Sequence, residues 1–127
     1  MKILNSAMKL EKFSLKNHDV KGDFKLLPQY YKQVKEISDS LYEVKIILEI
    51  HNTKSNPFPM DLDLSFVGIF QFDAIDDAIE LDKFLNNGAV QILFPYVRSI
   101  VSTITGASLM QPLILPIIDV RTIQTKQ

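Results

Sequence analysis

Between Leu41 and His51 apolar and polar side chains alternate: Tyr42, Val44, Ile46, Leu48 and Ile50 share one face, and Glu43, Lys45, Glu49 and His51 the other, with Ile47 among them. Met60–Phe72 repeats the pattern, with Met60, Leu62, Leu64, Phe66, Phe70 and Phe72 on one side and Asp61, Asp63, Ser65, Val67, Ile69 and Gln71 opposite. A period of two predicts half-buried antiparallel strands, because successive side chains of a strand point to opposite faces. Asn52–Pro59, rich in Asn, Ser and Pro, predicts the loop joining them into a hairpin. Two further strands are predicted upstream. Met8, Leu10, Phe13 and Leu15 alternate with a phase slip after Leu10, which a β-bulge would absorb. Phe24–Ile37 carries Tyr30, Tyr31, Val34 and Ile37, and its Pro28 places it at an edge or a kink.

The period then changes. Asp76–Asn86 predicts a short helix with Ile79 and Phe84 turned inward, interrupted at Asn87–Gly88. From Ala89 to Thr105 the apolar positions Val90, Leu93, Phe94, Val97, Ile100, Val101 and Ile104 follow helical spacing, with Pro95 in an early turn or at a kink and Gly106 as the stop. Pro112 and Pro116 predict an extended tail before Ile117–Ile123. Strands followed by helices read as an α+β domain, and 127 residues fit one domain over 1–127.

Composition narrows the function. A net charge of −1 lacks the basic excess of a nucleic-acid binder. With no cysteine, disulfides and zinc–thiolate sites are excluded, which suits a cytoplasmic location. Asn5 and Ser6 break the opening apolar residues, so no signal peptide is predicted, and the Leu113–Ile118 run is too short to cross a bilayer, which reads as a soluble chain. No P-loop, G-x-G-x-x-G or G-x-S-x-G motif occurs. His18 and His51 stand outside any metal-spaced cluster and read as structural or surface residues. Asp76–Asp77 suits a helix start, and Asp61 and Asp63 suit a solvated strand face. The expectation is a protein that is not an enzyme and needs no metal or cofactor. Ile47, Val67 and Ile69 on the outer face add apolar surface that a chain this small would struggle to cover, predicting self-association or an apolar ligand.

Ile92–Leu93–Phe94–Pro95–Tyr96–Val97–Arg98 resembles the I-L-F-P-Y-A-R signature that opens the main helix of the SecB-like family, bacterial protein-export chaperones. Leu41–Val44 resembles the start of the family's third strand, and Val67–Gly68–Ile69–Phe70 the G-G-I-F ending its fourth. Leu113–Leu115 and Ile118–Val120 stand where the family has L-N-L and V-N-F, and Phe13–Ser14–Leu15 where it has I-S-F. The resemblance implies a four-stranded antiparallel sheet followed by a long helix, assembled as a dimer of dimers, that is, a homotetramer. It also implies a cytoplasmic holdase for unfolded polypeptides, such as preproteins for export. Alternatives are a dedicated chaperone of one partner such as an antitoxin, or a small apolar-ligand carrier. The implied client-binding residues are Leu26, Tyr30, Tyr96, Val101, Leu113 and Leu115. Asp63 matches an acidic residue through which the family faces the export motor SecA, whereas Lys12 and Lys16 stand where the family has acids, so binding of SecA's basic tail is expected to be weak or absent. Only Val120–Gln127 stands where the family has a second amphipathic helix and an acidic tail.

Overall fold

The computed structural model describes residues 1–20, 22–108 and 110–126. β1 (Ile3–Asn17), β2 (Gln29–Ser38), β3 (Leu41–Ile50) and β4 (Met60–Phe72) form antiparallel neighbours in the order β1-β4-β3-β2. The two strands with the cleanest alternation, β3 and β4, take the centre of the sheet. The expected bulge in β1 lies between Leu10 and Lys12, where the register with β4 shifts by one residue. It restores the phase of the strand: Leu10 lies opposite Phe66 and Phe13 opposite Leu64, all on the same face. β2 begins at Gln29 rather than near Phe24, consistent with Pro28, which has no N–H to give a ladder.

The sheet is mixed rather than purely antiparallel. β5 (Gln124–Thr125) pairs parallel with Tyr31 and Lys32 at the outer edge of β2. Instead of a second helix, the end of the chain forms one 3-10 turn (Val120–Thr122) and this short strand; Gln127 lies outside the described residues.

The helical region runs from Ala78 to Ala107 without a break. α1 (Ala78–Lys83) is capped by Asp77, whose carboxylate accepts from the Ile79 and Glu80 N–H groups at 3.0 and 3.1 Å. Phe84–Gly88 forms a π-helical turn, with the Ala89 N–H donating to the Phe84 carbonyl five residues back, and α2 (Ala89–Ala107) follows directly. The expected interruption at Asn87–Gly88 is therefore a widened turn. It lets Phe84 reach the sheet, edge-on to Phe70 and Phe72 with centroids 5.2 and 5.7 Å away. Ile79, expected inward, is 72% exposed, because α1 sits beyond the sheet with no buried residue. Gly106 is still helical, and the helix ends one residue later at Ala107.

α2 lays Val90, Leu93, Phe94, Val97 and Val101 on Val44, Ile46, Leu48, Leu62 and Leu64, all essentially inaccessible. The approach is close at Gly68, where a Cβ would stand 2.7 Å from Leu93 Cδ2. On the opposite face Val67 is also covered, at 1% exposure. It lies in register between Lys9 and Lys45, and the Glu11–Lys45 ion pair (2.9 Å) spans β4 beside it. Part of the expected surplus apolar surface is thus masked by charged side chains.

Candidate functional site

The extended tail is held against the α2 side of the sheet by polar pins. Thr105, buried in α2, donates from Oγ1 to the Val101 carbonyl at 2.7 Å and accepts the Leu113 N–H at 2.8 Å. Arg98 donates from Nε to the Leu115 carbonyl at 3.0 Å. Asp119 caps the 3-10 turn through the Arg121 N–H and chelates the Arg121 guanidinium, which holds its carboxyl down at about 2. Val120 and Ile123 then enter the core, and β5 continues into a Lys126 N–H to Lys32 carbonyl bond of 2.9 Å. Lys126 Nζ also meets Glu49 at 2.6 Å and lies over the Tyr31 ring.

Between these pins and the start of β2 lies an open groove of about 600 Å³. Pro28, Gln29, Tyr30 and Tyr31 form one wall, and Pro116, Ile118, Thr122, Ile123 and Gln124 the other. Tyr30 packs edge-on against Phe94 at 5.3 Å, and its hydroxyl is buried without a hydrogen-bond partner among the described residues. Burial raises its pKa to about 12, against the opposing pull of the Arg98 cation. A smaller depression of about 280 Å³ beside it joins Phe94, Pro95 and Arg98 to Ile117 and Ile118. Ile114 and Ile117 project from the tail at 65% and 84% exposure, and Leu27 stands 45% exposed before β2.

The expected client-binding residues separate into three groups. Tyr30 lines the groove, and Leu26 and Leu113 pack half-buried beside the core. Val101 and Leu115, at 0% and 1% exposure, are core residues and do not line the groove; the Thr105 and Arg98 pins hold the tail on either side of Ile114. Tyr96 is 49% exposed but stacks on Phe66 of β4, two strands from Tyr30, and so lies away from the groove. Pro28, Pro116, Ile118 and Ile123 join the site without having been singled out, since an extended segment has no periodicity to mark its inward side.

On the outer face, Asp63 Oδ1 accepts from His51 Nε2 at 2.8 Å, and Asp61 meets His18 Nε2 at 2.9 Å while accepting the Asn52 N–H at 2.8 Å. The Asp63 bond raises the His51 pKa, and the Asn52 and His18 contacts lower that of Asp61. Lys12 lies opposite Ser65 and Lys16 opposite Asp61. Among the described residues no group of three or more His, Cys, Asp or Glu is placed to hold a metal ion.

These features define a class: small α+β proteins with an open groove of mixed polar and apolar lining between a sheet edge and a pinned tail. The SecB family, described as preprotein translocase subunit SecB, matches residues 20–127. Protein-export protein SecB of Ehrlichia ruminantium is 30% identical over 95 residues, covering 69% of this chain and 55% of its own. That of Anaplasma phagocytophilum is 27% identical over 104 residues, covering 80% and 65%. An uncharacterized protein of Methanocaldococcus jannaschii is 46% identical over 50 residues, 39% of this chain and 32% of its own. The chain thus spans about a third to two-thirds of the length of these relatives. The SecB-like chaperone Rv1957 of Mycobacterium tuberculosis, solved with a ChAD peptide from the HigA1 antitoxin, superposes with a TM-score of 0.75 at 19% identity, over 92% of this chain and 89% of that one. The chain belongs to the SecB family.

Proposed function

We propose that this protein is a holdase that takes apolar segments of unfolded polypeptides into the groove between β2 and the tail. The observation that carries this reading is the groove itself, about 600 Å³ and open, with Pro28, Tyr30, Tyr31, Pro116, Ile118 and Ile123 among its walls. Burial of apolar surface contributes about 25 cal/mol per Å² and is non-directional, so such a site selects for apolarity rather than sequence. The preproteins handled by export chaperones are the expected clients, in the cytoplasm, and no catalytic chemistry is required. Among the described residues no helix is long and apolar enough to cross a membrane.

Self-association belongs to the same reading. β1 is a 15-residue edge strand, and Leu4, Met8 and Leu10 along it, with Ile92 and Tyr96 on α2, remain 38–65% exposed. A second copy would cover them, as a dimer or a dimer of dimers. Light scattering at micromolar concentration is expected to give a multiple of the chain mass; the mass of one chain would contradict this.

Three readings of the groove are separable by adding unfolded proteins to the chain. The holdase reading expects suppressed aggregation of several unrelated clients. Suppression of one client alone would favour a dedicated chaperone, the reading consistent with the antitoxin peptide bound by the Rv1957 relative. Suppression of none, with uptake of a small apolar probe, would favour a carrier.

A further inference from the structure

On the outer face of the sheet, the charged groups of β1, β3 and β4 and of the residues that follow β1, β3 and β5 are unevenly paired. Each of the five carboxylates there has a basic group of this chain within 4 Å: Glu11 and Glu43 share Lys45, Glu49 holds Lys126, Asp61 holds His18 and Asp63 holds His51. Lys9, Lys12 and Lys16, exposed on the same face of β1, have no carboxylate within 4 Å among the described residues. Each acid there thus has a partner within this chain, whereas the three lysines of β1 are left to meet a partner of opposite charge.

We infer that the outer face of β1 is a docking surface for an extended acidic peptide segment, engaged through Lys9, Lys12 and Lys16. The register supplies the spacing. Lys9, Lys12 and Lys16 lie opposite Val67, Ser65 and Asp61, so they stand two and then four residues apart along β4. At about 3.4 Å per residue these intervals are about 7 and about 14 Å, the repeat of alternate side chains in an extended peptide. The half-buried Ile69 and Ile47 flank the stripe and offer apolar contact to intervening side chains. A nucleic acid fits less well, because the same face carries five carboxylates and the whole chain has a net charge of −1. This surface lies across the sheet from the groove and is independent of the holdase reading.

The test is calorimetric titration of the full chain with a synthetic peptide alternating Glu and Thr, with its Lys-for-Glu counterpart as control. Saturable, salt-sensitive binding of the acidic peptide alone is expected. The Lys9→Gln/Lys12→Gln/Lys16→Gln variant should bind about tenfold more weakly, as loss of three exposed charge contacts implies, with melting temperature and aggregation suppression unchanged. If the triple variant folds poorly, Lys12→Glu alone should still weaken binding. Affinity unaffected by these substitutions, no saturation up to about 1 mM peptide, or tighter lysine-dependent binding of duplex DNA would each overturn the inference.

Discussion

At single positions the fold depends on a few contacts with identifiable costs. Gly68 is where α2 comes closest to the sheet, so Gly68→Ala must displace the fully buried Leu93. The expected cost is about 1–3 kcal/mol, the range of overpacking, read from a denaturant unfolding curve. Tyr30 offers a sharper separation of packing from chemistry. Tyr30→Phe keeps the edge contact with Phe94 and removes a buried hydroxyl that has no partner among the described residues, so stability should hold or rise slightly. Tyr30→Ala should instead weaken client holding by about 1–2 kcal/mol per occupied site. His51 gives a pH signature. Its pKa is raised in the fold by Asp63, so its stabilisation is present in full below its ordinary value of 6.5 and is lost as pH rises through the folded value. Asp61 is lowered, so its contribution is present above the ordinary carboxylate value and is lost on acidification. His51→Gln should therefore flatten the change in melting temperature between about pH 6 and 8 while leaving the acid limb intact.

At the scale of elements, stability should be graded across the sheet. β3 and β4 are paired on both sides and covered by α2, whereas β1 has one neighbour and β5 makes a two-residue pairing. Hydrogen exchange is expected to be slowest in β3 and β4 and fast in β5, and Lys126→Ala, which removes the bond to Glu49, should speed it further there. Much of this architecture was readable because one face of each strand had to be apolar: the β3–β4 hairpin, the bulge after Leu10 and the stripe of α2 all follow from phase. The π turn at Phe84–Gly88 was not, since Asn-Asn-Gly is a breaker by propensity and only the demand of Phe84 for the Phe70–Phe72 surface holds it in helix. β5 escaped for a different reason: two polar residues carry no pattern, and their pairing rests on the pins that bring the tail to the β2 edge. The groove was half readable. Tyr30 stood out as an aromatic in an irregular strand, but the inward side of Leu113–Ile123 depends on one hydrogen bond given to Thr105 and one received from Arg98, 8 and 17 residues away.

For the whole molecule, the two sides of one sheet carry different chemistry. The α2 side carries the core and, at the β2 edge, the groove; the outer side carries paired acids and β1 lysines that have no carboxylate within 4 Å among the described residues. A SecA tail, being basic, should find little on that outer side, and calorimetry with that tail is expected to detect weak binding or none. Tight binding that survives Asp63→Lys would contradict the charge argument. The central claim, that unfolded chains enter between β2 and the pinned tail, is tested most directly by hydrogen exchange of the protein with and without an unfolded client. Added protection at Gln29–Lys32 and over 116–125, lost together with holding activity in Tyr30→Ala, is the predicted result. Protection confined to β1 and the Ile92–Tyr96 face of α2, with the groove unchanged, would contradict it.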